Sequence, residues 1–448
     1  MANELFAGSQ VIVYASREAT YGTARRLNGG DAMLTISESF TPTEEREVRP
    51  DRSGFTDHLD RYRGRKSATF EVTRLLLPSG SVTTEPDDDV LWQNAFGRLS
   101  INATGLEYIL ATAHDWSVTL RRAIRTGGGQ GVADFQDHVR GAIVNQVEIS
   151  EGNQAQNGLA TVTFRGVAKD WGWTGNTSVA SGYLNISSAA STFRVSSPRQ
   201  LTASSLFKVR ASTGGGSGIL VDTVNYTTSV ISFSESLGTT LSSGRAITPY
   251  NPTATTAGQP LHARIGMLSL DGSATKIDHL GGRVTLEDNR GLLNEEVGYD
   301  SASRVIRENR RNVIGTFGFI LKKDEVGELL GRRERNDSRN VQVNIGDEAN
   351  KTIKIHMRDF EWDMSALDMP DQGMTRITMA GRALGTNGND SLKVRFLFML
   401  NIGHWTSDIA PAWNAASKAE RDSQGFWCDS NGYASVSDSS SLAISKWE

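Results

Sequence analysis

The sequence predicts a mainly β protein in which one order of elements is written twice around a small all-β insert. Three observations carry this. "NGLATVTFRGVAKDWGWTGN" (Asn157 to Asn176) is matched by "QGMTRITMAGRALGTNGN" (Gln372 to Asn389), so that Gly158, Thr163, Gly166 and Ala168 meet Gly373, Thr378, Gly381 and Ala383. Gly, Ser and Thr are plentiful while Pro is scarce, a mixture that suits turns and exposed strand surface better than helix bundles. Between the two halves, residues 178–252 turn to short β-type runs such as "LFKVRAS", "ILVDTV" and "VISFSES", separated by turns.

Each element follows in order. "DAMLTISESF" (31–40) alternates as a half-buried strand does, and "TPTEEREVRPDRSGFTDHLDRYRGR" (41–65) reads as a long charged loop. Strand character resumes in "KSATFEVTRLLLP" (66–78). "EPDDDVLWQNAFGR" (85–98) reads as a short helix, with acidic residues at its positive end, apolar Val90, Leu91, Ala95 and Phe96 at helical spacing, and Gly97 as cap. Strands are expected at 116–126, 142–150 and 159–168. The second half repeats the order: "GRVTLEDN" (282–289), a charged loop (290–311), "NVIGTFGFIL" (312–321) with Thr316-Phe317 answering Thr69-Phe70, a short helix in "KKDEVGELLGRR" (322–333), then "VQVNIG", "TIKIHMRDFEWDMS" and the terminal repeated strand. The division is therefore 1–177 for the first copy, 178–252 for the insert, 253–391 for the second copy and 392–448 for a C-terminal extension, in which "APAWNAASKAERD" is a candidate short helix.

The composition excludes several functions. There are 47 basic and 51 acidic residues, finely interspersed, with no Lys/Arg block of the kind that binds nucleic acid tightly. Cys428 is the single cysteine, so an internal disulfide and a CxxC zinc site are both excluded, in keeping with a reducing compartment. The start lacks a basic region followed by a long apolar stretch, which argues against a signal peptide. The longest apolar run, Phe396 to Leu400, is far short of a membrane span.

No catalytic constellation emerges. The seven histidines are scattered, without metal-ligand spacing. The glycine runs "RTGGGQG" and "STGGGSG" lack the lysine and following helix of a phosphate cradle, and read as hairpin loops. There is no GxSxG elbow. The acidic pairs lie in charged loops or at the helix start. Trp171 and Trp173 have no counterparts in the second copy and are expected to anchor the insert. No cofactor and no metal are expected, and the chain is read as not being an enzyme.

Sheets with open edges pair with other chains, and a repeated heterologous contact closes into a ring when its rotation divides the circle. The stretches "YASREATYGT", "ESFTPTEEREVRPDRSG…YRGRKSATFEV" and "GRVTLEDNRGLLNEEVGYD…RENRRNVIGTFGFIL…DEVGELLG", with the insert's "LFKV…VDTV…ITPYNP", resemble the tail tube proteins of long, non-contractile-tailed bacteriophages over residues 1–390. The resemblance implies two β-sandwich or half-barrel domains, each flanked by one helix. It implies trimeric, pseudo-sixfold rings stacked into a hydrophilic conduit for DNA ejection, located in the virion tail and assembled in the host cytoplasm. Implied partners are further copies of the chain, a tape measure inside, terminator and tip proteins at the ends, and DNA in passage without specific binding. No membrane is involved.

Because attractive basic contacts would hold a sliding polyanion, acidic residues beside the repeated strand are the expected lumen-facing set: Glu148, Glu151, Glu361, Asp363, Asp368 and Asp371. The two charged loops are the expected ring-to-ring contacts, through Glu44, Glu45, Arg46, Arg49 and Arg52 in the first and Glu295, Glu296, Arg304, Arg307 and Arg310 in the second. The alternatives are a β-rich carbohydrate-binding or depolymerising protein, with the two tryptophans and the glycine loops on sugar, and a single-ring tail or baseplate component.

Overall fold

The computed structural model describes residues 11–48, 61–79, 84–102, 105–112, 116–124, 135–152, 158–181, 186–209, 218–235, 237, 240–252, 261, 267–270, 279–293, 296, 301–320, 338–346, 352–363, 367–368, 376–397, 426–428 and 434–436. The chain divides into two units, Met1–Phe398 and Met399–Glu448. In the second, Phe426–Cys428 pairs antiparallel with Ala434–Val436, and the candidate helix at 410–422 lies outside the described residues.

In the first unit, 18 strands join in one sheet, and no closed barrel forms among the described residues. The first half supplies β1 (Val11–Arg17), the two-residue strand Ala32–Met33 paired with it, β2 (Ser37–Val48), β3 (Arg61–Leu75), α1 (Asp89–Phe96), β4 (Gly97–Asn102), β5 (Gly105–Leu110), β6 (Val118–Ile124), β7 (Phe135–Ser150), β8 (Thr161–Ala168) and β9 (Asp170–Thr174). The second supplies β10 (Met267–Leu270), β11 (His279–Glu287), β12 (Asn312–Ile320), β13 (Arg339–Ile345), β14 (Thr352–Trp362), β15 (Leu367–Asp368), β16 (Arg376–Ala383) and β17 (Leu392–Leu397).

The pairing scheme of the first half recurs in the second. β1–β6, β2–β3, β3–β8, β6–β7, β7–β8 and β7–β9 are antiparallel pairs. So, in the same roles, are β10–β13, β11–β12, β12–β16, β13–β14, β14–β16 and β14–β17. β7 and β14 each turn a corner between two sets of partners, and the corner residues correspond: Gly141 has φ +61° and Asp359 φ +47°. Before each corner stands an arginine held by an aspartate, Arg140 to Asp170 and Arg358 to Asp390, both at 2.6 Å.

The repeated glycine has a steric cause. A Cβ on Gly166 would lie 1.9 Å from the Ile143 carbonyl oxygen, and one on Gly381 would lie 2.3 Å from the Glu361 carbonyl oxygen. The two carbonyls belong to equivalent positions beside the corner. Register also corrects the sequence alignment of β3 with β12. Phe70 lies opposite Gly166 and Gly315 opposite Gly381, so Phe70 corresponds to Gly315 rather than Phe317. A two-residue slip leaves every side chain on its own face, so alternation could not expose the error.

α1 forms where expected. Gly97 closes it in the left-handed conformation (φ +89°), and Leu91, Trp92, Ala95 and Phe96 are buried. Its acidic start is not a solvated cap: Asp88 is buried against Arg74 at 3.5 Å, and Asp89 accepts from the Tyr108 hydroxyl at 2.7 Å. Burial pushes the Asp89 carboxyl up to about 7. Trp92 centres the core, with Tyr108, Phe164 and Phe396 within 6 Å between ring centres. The helix expected at 322–333 lies outside the described residues.

Three expectations change. The stretch 41–65 is not a loop throughout: Thr41–Val48 and Arg61–Arg65 extend β2 and β3 into a long hairpin arm. Charge hid these strands, because "TPTEEREV" and "RYRGR" show no apolar alternation. Likewise the stretch 290–311 contains a small hairpin, Arg290–Leu292 with Val305–Arg307. Leu392–Leu397 is β17 and pairs with β14 and β5, so residues 392–397 belong to the first unit rather than to an extension.

The insert has its own sheets, among them Leu206–Val209 paired with Ala246–Pro249, and its own core around Phe193, Phe207 and Phe233. Trp173 fastens it, accepting on its carbonyl from Thr202 and Ser205 and donating from its indole nitrogen to the Arg199 carbonyl. Beneath the insert, fully buried Arg121 donates to the Ser204 carbonyl at 2.8 Å, and burial pushes its pKa down to about 9.

Candidate assembly surfaces

The two halves are stitched by strand pairing. β7, the corner strand of the first, pairs with β11 of the second: Arg283 lies opposite Ser150, Val284 opposite Ile149 and Thr285 opposite Glu148. Beyond the ladder, the Asp288 amide donates to the Asn145 carbonyl. Arg290 then enters the first half, donating through Nη2 to the carbonyls of Asn94 (2.5 Å) and Val144 (2.8 Å). Asn94 spans the same point, accepting from the Val144 amide and donating to the Trp116 carbonyl.

Asp288 is the counter-charge, 2.5 Å from Arg290, 2.9 Å from Arg307 and 2.5 Å from Arg311. Burial pushes its carboxyl up, but Arg290, Arg311 and Arg307 overcome that and hold it below the ordinary carboxylate range. Burial also pushes the Arg290 guanidinium down to about 10.

One face of the sheet is polar across both halves. Glu71 on β3, Arg165 on β8, Glu148 on β7 and Arg283 on β11 form an alternating chain of ion pairs, at 3.0 Å, 3.1 Å and 3.4 Å in turn. Farther along, exposed Glu361 lies opposite exposed Arg382. The same face carries Thr69, Thr73, Thr161, Thr285 and Thr378. Charges here are matched within the sheet, and it was the matching arginines that sequence reasoning missed, because cross-strand neighbours are distant in the chain.

The expected lumen residues separate on this frame. Glu148 and Glu361 share the polar face, and Asp363 is exposed at the end of β14, its amide donating to Ala380. Glu151 does not present its charge outward: it is buried against His279, at 2.9 Å. Asp368 lies on β15 opposite Arg376, and Asp371 is outside the described residues.

Among the expected loop contacts, Glu44, Glu45 and Arg46 are residues of β2, with Glu44 opposite Lys66 and Arg46 opposite Arg63. Arg49, Arg52 and Glu295 lie outside the described residues. Glu296 pairs with exposed Arg304 at 2.9 Å, while Arg307 is committed to Asp288 and the Arg310 carbonyl accepts from Asn289. The structure brings the two charged stretches together: Arg65 donates to the Glu296 carbonyl at 2.7 Å, and Lys66 bridges to Ser301.

No group of three or more His, Cys, Asp or Glu side chains among the described residues could hold a metal ion, and no described helix is long and apolar enough to cross a membrane. Trp171 and Trp173 lie against each other, with ring centres 5.0 Å apart. The chain matches no known family and no curated protein.

Proposed function

We propose that this chain is a structural virion protein that assembles with copies of itself into rings, stacked as a phage tail tube that conducts DNA. The observation that carries the reading is the β7–β11 joint, which couples the corner strand of one half to a strand of an equivalent half. A joint of this kind can be made again from chain to chain, since β2 holds in the first half the place of β11, and β14–β15 hold in the second the place of β7. Repeated with a constant rotation it closes a ring. Three chains with two such domains each give the pseudo-sixfold arrangement of the resemblance.

The lining then falls to the threonine-rich polar face. Arg165 and Arg283 are engaged by Glu71 and Glu148, and Arg382 lies opposite Glu361, so a passing polyanion is not held by the electrostatic attraction that dominates DNA binding. The hairpin arm of β2 and β3 and the stretch that contacts it, 296–307, serve as the contact between rings. Tape-measure, terminator and tip proteins are the partners inside and at the ends.

Negative-stain microscopy and mass measurement of the purified chain test the reading. The expected result is stacked rings or tubes built from trimers of a 48.7 kDa chain. A protein that stays monomeric and globular at high concentration refutes it.

A further inference from the structure

The joint inside one chain dictates the register of the joint between chains. β2 pairs with β3 along its length and with no other strand among the described residues. Its counterpart β11 carries β7 on that same outer side. The correspondence is fixed by the repeated glycine: Phe40 lies opposite Phe70, which lies opposite Gly166, and Val284 lies opposite Gly315, which lies opposite Gly381. Phe40 therefore holds the place of Val284. On the other side, Ile149 lies opposite Val162 and Leu367 opposite Ile377, so Leu367 of β15 holds the place of Ile149.

We propose that β2 of one chain adds to β14–β15 of a second copy with Phe40 opposite Leu367 and Ser39 opposite Asp368. This inference rests on the self-assembly reading above and names the contact that reading requires.

Pro42 keys this register. Within the chain, the Asp288-to-Asn145 and Glu151-to-Gly282 bonds show that even-numbered residues of β11 direct their amides toward β7. In β2 the matching positions are Glu38, Phe40, Pro42 and Glu44, and the proline has no amide to give. A proline on a sheet edge blocks an added strand at that point. In the proposed register Pro42 falls opposite residue 365, outside the described residues and clear of β15, which begins at Leu367. A two-residue slip keeps the faces aligned but sets Pro42 against β15 itself.

Cysteine cross-linking reads the register directly. Ser39 with Asp368 corresponds to Arg283 with Ser150, a pair without mutual hydrogen bonds, where Cα atoms approach to about 4.5 Å and a disulfide fits. In a Cys428→Ser background, the expected result for Ser39→Cys with Asp368→Cys is a ladder of disulfide-linked multimers on oxidation. Thr41→Cys with Asp368→Cys, the slipped pair, is expected to stay unlinked, and each single cysteine variant to give dimers at most.

Multimers that link through 41 and 368 but not through 39 and 368 overturn the register while leaving self-assembly standing. A chain that forms no multimers before oxidation overturns both. Pro42→Val tests the key: cross-links at the slipped pair are expected to appear. Linkage confined to 39 and 368 in that variant removes Pro42 from the role.

Discussion

Replacing Arg290 with methionine keeps most of the side chain's volume and removes its charge from the seam between the two halves. Arg290 is 3 % exposed and supplies donors to the buried carbonyls of Asn94 and Val144 as well as an ion pair to Asp288. Breaking a buried charge pair on one side costs about 3–5 kcal/mol, chiefly because the remaining charge is stranded. Here Asp288 retains Arg307 and Arg311, so that part of the cost falls away. What remains is two carbonyl acceptors without their donor, each costing about 1–3 kcal/mol, offset by the relief of no longer burying a guanidinium. The expected loss is about 3 kcal/mol. Urea unfolding of wild type and variant at one fixed protomer concentration measures it, since the proposed assembly would make stability concentration-dependent. A loss below about 1 kcal/mol would refute the claim that Arg290 closes the seam.

Two further predictions follow from the same geometry. Gly166→Ala and Gly381→Ala drive a methyl into a carbonyl and an aromatic ring, so each is expected to destabilise by about 3 kcal/mol or more, the upper end for an overpacked core. Gly318→Ala meets nothing nearer than 3.5 Å and is expected to change stability by less than about 0.5 kcal/mol, so equal melting shifts for all three would contradict the steric account. Asp288 has a lowered folded-state pKa, so its contribution is present above the unfolded carboxylate's pKa and is lost as pH falls through the lower folded value. Stability on the acid side should accordingly fall less steeply in Asp288→Asn than in wild type, and an unchanged acid limb would show that the three arginines do not act on this carboxyl.

The repeated glycine was legible because a Cβ at Gly166 or Gly381 would collide with a neighbouring carbonyl, and such a constraint leaves a mark in the sequence. The helix was legible from spacing and Gly97. The hairpin arm was not, because "TPTEEREV" and "RYRGR" carry charge in place of apolar alternation although their backbones pair. The β4–β5 hairpin escaped notice as well: Gly97 ends α1 and begins β4, and one residue cannot signal both. Among the site residues, exposure of Glu361 and Asp363 could be read from strand alternation. The burial of Glu151 could not, since it depends on His279, 128 positions away. Arg165 and Arg283 were invisible as partners of Glu148 for the same reason. The importance of Asp288 lay in plain view in "LEDNRGLL", but nothing local distinguishes a buried carboxylate from a solvated one.

The differences between the halves say as much as their likeness. Both corners keep an arginine–aspartate pair and a left-handed residue, yet the first uses glycine and the second aspartate. At Gly141 a Cβ would meet the Lys169 side chain at 2.6 Å, and the Gly141 amide donates to buried Glu18, which also holds Ser117 and Thr119. At Asp359 there is room, and the carboxylate takes the Thr386 hydroxyl at 2.6 Å. The outer strands diverge in the same way. β9 bridges to the insert at Leu201, whereas β17 receives β5 from the first half. Equivalent edges are therefore closed by unrelated partners, each carried by the same chain. The β2 edge is different in kind: among the described residues no strand covers its outer side, whereas its twin β11 is covered there by β7, and it is on this asymmetry that the proposed self-assembly rests.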